Sequence, residues 1–388
     1  MLKRIAIQNY KCLENVNLLL PRDGMILLAG ANGAGKSTLL EVLEKLRELV
    51  GRGRYIYGSR HSHGIRFLGD TFTRWKRGAA KEAQQCFELE VEGNGGSYQY
   101  RLVIDYDGHG DPKIALEEVL YDKHDIFRYK DSNVYLFDNA TYQQKVSFGT
   151  DWSRSFIPMV QEREENQKLI WFRNWLDSLV VLQPNPFAIH GVAEGEDAYL
   201  NKDFSNFASW FRYLRQTLPD QDYSAYVGDL RCALPGFQWM RLVNAGMDNK
   251  EVRVKFEEID NEDGYSLDEL SEGQKLLIVL YAVIHFILKE PRIVCVDEPD
   301  NFLSLFEISA LFDAFDEALM ATAEERRQAL ISSHHPEFYD RISGEQGLYA
   351  RREENGEGVG TRFQKFPEVF SENEGLLRSE IIKRGWQD

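Results

Sequence analysis

The most informative stretch of this sequence is a glycine-rich octapeptide, Gly30 to Ser37, which fits the pattern G-x-x-x-x-G-K-[S/T]. An apolar segment precedes it and leucines at helical spacing follow it, which predicts a strand, a loop and a helix. Backbone amides of such a loop surround phosphate oxygens, Lys36 would reach the β and γ phosphates, and Ser37 would ligate Mg²⁺. The pattern predicts a site for ATP and Mg²⁺ formed by Gly30, Asn32, Gly33, Ala34, Gly35, Lys36, Ser37 and Thr38.

Two adjacent carboxylates follow a second apolar segment, Ile293 to Val296. Asp297 would hold the magnesium shell, as the aspartate at the end of a Walker B strand does. Glu298 comes one residue later, at the carboxyl end of a predicted strand, where α/β proteins bind ligands, and could polarise an attacking water. Strands often end in acidic residues, so the glycine loop is what strengthens this indication.

Three further short motifs lie between positions 270 and 336. They read Leu-Ser-Glu-Gly-Gln at 270–274, Asp-Asn-Phe-Leu at 300–303 and Ser-Ser-His-His-Pro at 332–336. With the two motifs above, they resemble the signature, D-loop and switch histidine of ABC-type ATPases. The resemblance is to the SMC, RecF and OLD branch, especially small AAA_21-like ATPases. It implies an α/β fold, namely a P-loop NTPase head of ABC type with an antiparallel β subdomain and a helical insertion.

The resemblance also implies roles for these residues. In this family two heads enclose two ATP molecules, so Ser271, Gly273 and Gln274 would face the γ-phosphate bound by a second subunit. His334 would sense the γ-phosphate, and alignment with the motif favours it over its neighbour His335. Two other interpretations stay open, because a serine before a helix also serves as an N-cap and a histidine can be a polar residue at a strand end.

Some positions depart from the family pattern or match it weakly. Glu272 replaces the first glycine of the signature and places an acid close to phosphate. The Q-loop glutamine of the family, expected at the nucleotide site, is either Gln161 or Gln183, and the sequence favours Gln161. Lys11 matches an early basic residue of RecF-like heads that contacts nucleotide, although a solvated lysine at a strand end explains it equally well.

The order of predicted elements suggests four regions. Residues 1–85 contain the first half of the ATPase core, and 86–150 alternate as an antiparallel meander. Residues 151–236 form a helical insertion, with helices expected over 152–181 and 203–233, and 237–388 complete the core. The sequence also predicts strands at 3–9 and 25–29, a hairpin near 354–356 and a final short helix containing Trp386.

Composition limits the class of protein. The 388 residues include 43% hydrophobic residues, sufficient for a large core, and a net charge of -16 opposes general attraction to nucleic acid or anionic membrane. The four cysteines, at 12, 86, 232 and 295, show neither a disulfide framework nor zinc-ligand spacing. The apolar run from Leu276 to Leu288 is too short to span a membrane. We expect a cytoplasmic protein that does not interact with membranes.

One stretch is basic although the chain as a whole is acidic. Between Arg52 and Lys81, eight basic residues alternate with aromatic ones, a composition that suits contact with DNA phosphates and bases. A solvated loop explains it equally well. The acidic segment from Asp105 to Asp111 could suggest a TOPRIM nuclease or a calcium loop, but Asp-Gly between alternating strands is a hairpin signal.

These observations favour a Mg-dependent ATPase that forms a homodimer around ATP and gates a DNA-related process. By resemblance, that process would be anti-phage defence or DNA surveillance, with a separately encoded nuclease or other effector. Three alternatives stay open: a RecF-like repair or loading factor, the nucleotide-binding subunit of a transporter, and a scaffold that binds ATP without turnover.

Overall fold

The computed structural model describes residues 1–21, 24–56, 84–107, 111–257, 262–290, 292–320, 327–355, 358–370 and 376–384. The chain forms two compact units, one of Met1–Val180 with Ile342–Asp388 and the other of Val181–Arg341. Both contain helices and strands, so the predicted α/β class is confirmed. Within the described ranges, no helix has the length and apolar character needed to cross a bilayer.

The elements are numbered in chain order. The strands are β1 (Leu2–Tyr10), β2 (Leu13–Leu19), β3 (Gly24–Gly30), β4 (Gln85–Gly93), β5 (Gly96–Tyr106), β6 (Pro112–Tyr121), β7 (His124–Lys130), β8 (Asn133–Phe137), β9 (Gln144–Gly149), β10 (Val180–Leu182), β11 (Val192–Ala193), β12 (Phe237–Asn244), β13 (Lys250–Phe256), β14 (Tyr265–Ser266), β15 (Ile293–Asp297), β16 (Gln328–Ser332), β17 (Gly347–Asn355) and β18 (Gly358–Lys365). The α-helices are α1 (Lys36–Leu46), α2 (Gln167–Asp177), α3 (Phe207–Thr217), α4 (Asp220–Ala233), α5 (Glu272–Phe286), α6 (Leu305–Met320), α7 (Pro336–Arg341), α8 (Phe366–Val369) and α9 (Arg378–Lys383).

The largest sheet of the first unit is antiparallel, with strands in the order β2-β1-β4-β5-β6-β7-β8-β9. Buried and half-exposed residues alternate along β4, as expected for a sheet covered on one face. Helix α2 packs on the sheet, and the ring of Phe172 lies 5.5 Å from that of Tyr100. The predicted antiparallel meander is confirmed by β4 to β9, and it is extended by β1 and β2.

The glycine loop belongs to a separate group of strands in the same unit. Strand β3 pairs in parallel with β17, with Gly30 opposite Ala350, and β17 forms a hairpin with β18. Parallel pairing places the carboxyl ends of β3 and β17 at one edge. The segments that follow Gly30 and Ala350 are therefore neighbours, although about 320 residues separate them in sequence.

The second unit also contains a pair of parallel strands. Strands β15 and β16 pair in parallel, and Asp297 lies opposite Ser332 in the register. Both strands are buried throughout. Helix α5 is buried from Lys275 to His285, consistent with the apolar run in its sequence. The carboxyl ends of β15 and β16 thus present the residues after Asp297 and Ser332 at one edge.

Some local predictions differ from the structure. The prediction did not include β2, and β1, which corresponds to the strand predicted at 3–9, belongs to the antiparallel sheet. A helix over 152–181 is wrong for the first half of that range: Pro158 lies in a single 3₁₀ turn, Ile157–Met159, and the α-helix starts only at Gln167. The predicted helix at Trp386 lies outside the described residues, and α9 ends before it.

The predicted region boundaries at 85, 150 and 236 follow changes in the type of secondary structure. The compact units divide instead near positions 180 and 341. The antiparallel sheet and the strand before the glycine loop belong to one unit, and the signature, the paired carboxylates and His334 belong to the other.

Candidate functional site

The glycine loop has a backbone that only glycine adopts easily. Gly30 has φ of 131°, and a Cβ on it would lie 2.0 Å from the carbonyl oxygen of Ala350. Gly35 has φ of 101° and is the N-cap of α1. Both positions lie in the region that side chains avoid, so the loop between β3 and α1 requires these glycines for its curvature. Its shape places the positive end of α1 at the loop.

Lys36 is the first residue of α1 and is 96% buried, with a relative exposure of 4%. Its Nζ donates to the carbonyl oxygens of Gly30 and Ala31 at 2.8 and 3.2 Å. The ammonium group is therefore folded inside the loop, where phosphate oxygens are stronger acceptors than carbonyl groups. Asn32 and Ser37 are exposed, so an incoming ligand can reach their side chains.

Three side chains that the sequence analysis did not single out form the back of the loop. Nε of Arg352, on β17, donates to the carbonyl oxygen of Gly33 at 2.8 Å. The thiol of Cys12 lies 3.7 Å from Oγ1 of Thr38, and Thr361 is buried beside Gly35. Arg352 on β17 and Thr361 on β18 reach the loop because β3 pairs with β17 and β17 pairs with β18. Such long-range pairing leaves no local signal in the sequence.

The predicted basic contact, Lys11, lies against the helix that follows the loop. Its Nζ is 2.5 Å from Oε2 of Glu41, and the hydroxyl of Tyr10 donates to Oε1 of the same carboxylate at 2.9 Å. Glu41 lies one turn beyond Ser37 on α1. The structure therefore places Lys11 next to α1, in an ion pair rather than in open solvent.

The second part of the candidate site begins where β15 ends. Asp297 is 8% exposed, and the hydroxyl of Ser332 donates to its Oδ1 at 2.5 Å. The amide of Gln183 lies 3.5 Å from Oδ2 of the same carboxylate. The pairing of β15 with β16 thus fixes one oxygen of Asp297, and a glutamine from a distant loop faces the other.

Glu298 has an unusual backbone for a side chain of its size. Its φ is 51°, and its amide donates to the backbone oxygen and the hydroxyl of Ser332, both at 3.0 Å. Nε2 of His334 lies 2.5 Å from Oε1 of Glu298, and Nδ2 of Asn301 donates to Oε2 at 3.0 Å. Left-handed backbone at a non-glycine residue costs energy and is concentrated at functional sites.

The two adjacent histidines have different contacts. His334 contacts Glu298, whereas Nδ1 of His335 accepts a hydrogen bond from the amide of Glu337 in the first turn of α7. The backbone amide of His335 donates to the hydroxyl of Ser333. The structure therefore brings His334 to the carboxylate and gives His335 a local role at the start of a helix.

The signature segment forms a helix cap. Ser271 is the N-cap of α5, its Oγ accepts from the amide of Gln274, and Oε1 of Gln274 accepts from the amide of Ser271 at 3.1 Å. This reciprocal pair satisfies two amides of the first turn. A Cβ on Gly273 would lie 2.9 Å from the carbonyl oxygen of Phe302, so the start of α5 is in close contact with the segment at 300–303.

That neighbouring segment combines a buried acid with an exposed aromatic residue. Asp300 is 8% exposed, and burial raises its pKa. Phe302 has φ of 72° and is half exposed, and its ring lies 5.4 Å from that of the exposed Phe187. Phe187 was not identified from the sequence, because its only signal is an aromatic residue in a proline-rich loop.

The two candidate glutamines lie in different settings. Gln183 meets Asp297, as described above. Gln161 is exposed after a 3₁₀ turn of the other unit, and its carbonyl oxygen accepts from the side chain of Asn166 at 2.8 Å. Of the two glutamines, Gln183 is the one that contacts Asp297.

Only the beginning of the basic stretch is described. Arg52 pairs with Glu48 at 2.7 Å and with Asp177 at 3.3 Å, and Arg54 approaches Glu48 at 3.5 Å. The charges of these two arginines are therefore compensated by acidic neighbours. Residues 57–83, which contain the rest of the predicted DNA contact, lie outside the described residues. Strands β5 and β6 pair antiparallel on either side of the hairpin predicted at 105–111. Its turn, at 108–110, lies outside the described residues.

Each of the two predicted metal ligands, taken within its own unit, carries an oxygen donor of the kind that Mg²⁺ prefers. In the described part of the chain, no group of three or more His, Cys, Asp or Glu residues could hold a metal alone. Mg²⁺ in nucleotide sites usually takes one or two protein ligands and completes its shell with phosphates and water. Asp297 supplies a carboxylate held by Ser332, and Ser37 supplies an exposed hydroxyl.

The chain is similar to one described protein family and, in its fold, to solved SMC head domains. The model of the AAA_21 family, described as "AAA domain, putative AbiEii toxin, Type IV TA system", matches residues 25–340. The fold is similar to a solved SMC head bound to the C-winged helix domain of ScpA, with a TM-score of 0.52 and 12% identity over 94% of this chain and 98% of that chain. An SMC head domain from Thermotoga maritima gives a TM-score of 0.45 at 12% identity, over 93% and 97% of the two chains. No curated protein matches the sequence.

Proposed function

We propose that this chain, which belongs to the AAA_21 family and has a fold similar to that of an SMC head, hydrolyses ATP with Glu298 as the general base. The observation that carries the proposal is the environment of that carboxylate. Glu298 follows the predicted metal ligand directly, and both of its oxygens are held by nitrogen atoms, from His334 and Asn301. An oriented carboxylate at the carboxyl end of a strand is suited to accept a proton from water.

The residues of the loop bind the nucleotide. Amides between Gly30 and Lys36 and the N-terminus of α1 face the phosphates, and Lys36 exchanges its contacts with loop carbonyls for phosphate oxygens. When bound, Mg²⁺ neutralises charge on the β and γ phosphates. Asp297 and Ser37 would hold it, and Ser332 keeps Asp297 in position.

Glu298 then accepts the proton of the attacking water, while His334 and Asn301 keep its two oxygens oriented. His334 also supplies a hydrogen-bond donor beside the reacting group, which suits a sensor of the γ-phosphate. Gln183, through its contact with Asp297, is the glutamine that reports on the metal shell.

A second copy of the chain completes the site in this proposal. Ser271 is exposed at the N-terminus of α5, where a hydroxyl and backbone amides can bind an anion. Close to it, four large apolar side chains are exposed: Phe187, Phe302, Leu305 and Phe306. Apolar side chains grouped beside a polar ligand site favour a protein interface. The homodimer would therefore close around ATP with Ser271, Gly273 and Gln274 facing the partner's nucleotide.

For the biological output, we propose defence or DNA surveillance in which ATP controls a separate effector. The description of the family mentions a toxin and a toxin–antitoxin system, which supports an output delivered by a partner. The described basic residues Arg52 and Arg54 are engaged by acidic neighbours, so they add little support for direct contact with DNA.

Glu298→Gln tests both parts of the proposal. We expect the wild-type protein to hydrolyse ATP. The ATPase rate of the variant should be about 10²- to 10⁴-fold lower, which is the usual contribution of a general base. With hydrolysis blocked, ATP should shift the variant from monomer to dimer in size-exclusion chromatography with light scattering. The exposed carboxylate Glu164 provides a matched control, and Glu164→Gln should retain wild-type activity.

The two results are separable. A wild-type rate no higher than that of Glu298→Gln would mean that the chain is a scaffold without turnover. Normal turnover with no change of mass in the trapped variant would instead contradict the dimer and leave catalysis in place.

A further inference from the structure

A tight contact joins the loop that carries Gln183 to the segment before the signature, within the unit Val181–Arg341. The loop runs from Gln183, directly after β10, to Gly191, directly before β11. The other partner is the 3₁₀ turn Leu267–Glu269, which leads into the signature. The residues at this contact have no role in the site described above.

Asp268, in the middle of the turn, holds the end of the loop. Its Oδ2 accepts a hydrogen bond from the amide of Gly191 at 2.8 Å, and its Oδ1 lies 2.9 Å from Nδ1 of His190. Although burial opposes the effect, the hydrogen bonds from Gly191 and His190 lower the pKa of Asp268. The carboxylate is therefore charged at neutral pH, which strengthens its hydrogen bonds.

The turn that presents Asp268 is fixed by its own contacts. Ser266 is the N-cap of the turn, its amide donates to Oε2 of Glu269 at 2.7 Å, and its Oγ accepts from the amide of Asp268 at 3.4 Å. Ser266 also pairs with Arg253 on β13, the strand that pairs with β11. A reciprocal cap of this kind restricts the backbone, so Asp268 is held on a rigid support.

Gly191 is in close steric contact with the same turn. It is buried, and a Cβ on it would lie 3.1 Å from Oδ2 of Asp268 and 3.2 Å from Cβ of Leu267. Its carbonyl oxygen accepts from the amide of Val252 at 2.8 Å. Both backbone groups of Gly191 are thus paired, and loss of the carboxylate of Asp268 would leave a buried amide without that acceptor.

The same loop reaches the candidate site at two points. Gln183, at its start, lies 3.5 Å from Oδ2 of Asp297. The ring of Phe187, in its middle, lies 5.4 Å from that of Phe302. Two prolines within 183–186 restrict the backbone between these contacts. The position of the loop end at Gly191 therefore constrains where Gln183 lies.

We propose that Asp268 is a positioning residue of the ATPase site, which holds the loop at Gly191 so that Gln183 stays in contact with Asp297. The inference rests on the proposed function, since it assigns Asp268 a part in the use of Mg²⁺. Asp268 acts through Gln183 and does not itself belong to the predicted nucleotide and metal contacts. Without its carboxylate, the loop is released and Asp297 loses the restraint that Gln183 provides.

The Mg²⁺ dependence of ATP hydrolysis tests this role in a double-mutant cycle. We expect Asp268→Ala to raise the half-maximal Mg²⁺ concentration about threefold, as for the loss of one net hydrogen bond. Asp268→Asn keeps an acceptor for the amide of Gly191 and should restore most of the loss. In the Gln183→Ala background, Asp268→Ala should have no further effect, because both changes remove the same contact.

The matched control is Glu194→Ala, which removes an exposed carboxylate three residues after Gly191 and should leave the Mg²⁺ dependence unchanged. An equal effect of Asp268→Ala with and without Gln183 would overturn the proposal. So would an equal effect of Asp268→Ala and Glu194→Ala, since that result would reflect the charge of the surface rather than the hold on the loop.

Hydrogen exchange of the nucleotide-free protein, measured by mass spectrometry, tests the hold on the loop without turnover. We expect Asp268→Ala to accelerate exchange in peptides that end at Ile189, which exclude the amide of Gly191 itself. Gly191→Ala should have the same effect, because its methyl group forces the loop away from the turn. This second variant keeps the test decisive if Asp268→Ala fails to fold, as judged by circular dichroism.

The two kinds of failure are distinguishable. Unchanged exchange up to Ile189 in the folded variants would overturn the role of Asp268, whatever the rate of ATP hydrolysis. Absence of turnover in the wild type would instead contradict the proposed function, and the exchange experiment would still show whether Asp268 holds the loop.

Discussion

Nε2 of His334 lies 2.5 Å from Oε1 of Glu298, at the shared edge of two parallel strands. The contact follows from the register of β15 and β16, in which Asp297 lies opposite Ser332. Glu298 comes directly after Asp297, and His334 comes two residues after Ser332, so both lie at the same edge. The left-handed backbone of Glu298 turns its carboxylate away from the strand direction. His334 and Glu298, 36 positions apart in the sequence, thus form one pair whose function can be tested by substitution.

We expect His334→Ala to lower kcat for ATP hydrolysis by about 10²-fold with little change in KM, because a small misplacement of the base slows the chemical step. Steady-state kinetics over a range of ATP concentrations provides the measurement. His334→Gln keeps a neutral N–H donor and should recover part of the rate. The matched control is His335→Ala, which removes a contact with the first turn of α7 and should lower the melting temperature rather than kcat. Equal losses of kcat in the two alanine variants would contradict the assigned role.

The two glutamines give a second prediction. We expect Gln183→Ala to raise the Mg²⁺ concentration needed for half-maximal ATPase activity by about tenfold, as loss of a group that orients a metal ligand does. The reason is its 3.5 Å contact with Asp297. Gln161→Ala removes an exposed side chain of the other unit and should leave the Mg²⁺ dependence unchanged. Titration of ATPase activity with Mg²⁺ at a fixed ATP concentration distinguishes the two variants. If the half-maximal Mg²⁺ concentration changes only in Gln161→Ala, the assignment of Gln161 made from the sequence is correct.

Local motifs were predictable because their chemistry is contained in a few consecutive residues. The loop from Gly30 to Ser37 needs glycines at defined positions, and the left-handed Gly30 and Gly35 occur where the pattern requires them. The same reasoning identified Asp297 and Glu298 as the end of a buried strand. Sequence reasoning works well where a motif also specifies its own backbone conformation.

Contacts between distant strands were not predictable in this way. Arg352 meets Gly33 only because β17 pairs with β3, and the two residues are 319 positions apart. Gln183 meets Asp297 across 114 positions. Neither arginine nor glutamine has a neighbouring pattern that indicates such a partner. The strand β2 was missed for a related reason: its buried positions alternate over only seven residues, next to a loop rich in turn signals.

Arg352 gives a third prediction. We expect Arg352→Ala to raise the KM for ATP about tenfold, because a charge-assisted hydrogen bond to the glycine loop is lost. Its neighbour Arg351 points to the other face of β17 and pairs with Glu353 at 2.6 Å. Arg351→Ala removes the same charge from the same strand and should leave KM unchanged. Equal effects on KM would indicate that overall charge, rather than the contact with Gly33, supports nucleotide binding.

The fourth prediction concerns a buried acid in the antiparallel sheet. Glu117 has no exposed surface, the hydroxyl of Tyr100 donates to its Oε1 at 3.1 Å, and its Oε2 has no partner among the described residues. Burial raises the pKa of Glu117 to about 7, from 4.5 for an unperturbed glutamate. The folded protein therefore binds this proton more tightly than the unfolded chain does. The resulting stability is fully present below pH 4.5 and is lost as pH rises through about 7.

We expect the wild type to lose up to about 3 kcal/mol of unfolding free energy through Glu117 across this pH range, since one pKa unit corresponds to about 1.4 kcal/mol. Glu117→Gln removes the ionisable group. The unfolding free energy of the variant minus that of the wild type should therefore increase from pH 5 to pH 8. Urea unfolding at several pH values measures that difference. Glu118 points to the opposite face of β6 and pairs with Arg128 at 3.5 Å, so Glu118→Gln is the matched control. A pH-independent difference for Glu117→Gln would mean that the carboxyl group ionises in the folded protein as it does in the unfolded chain.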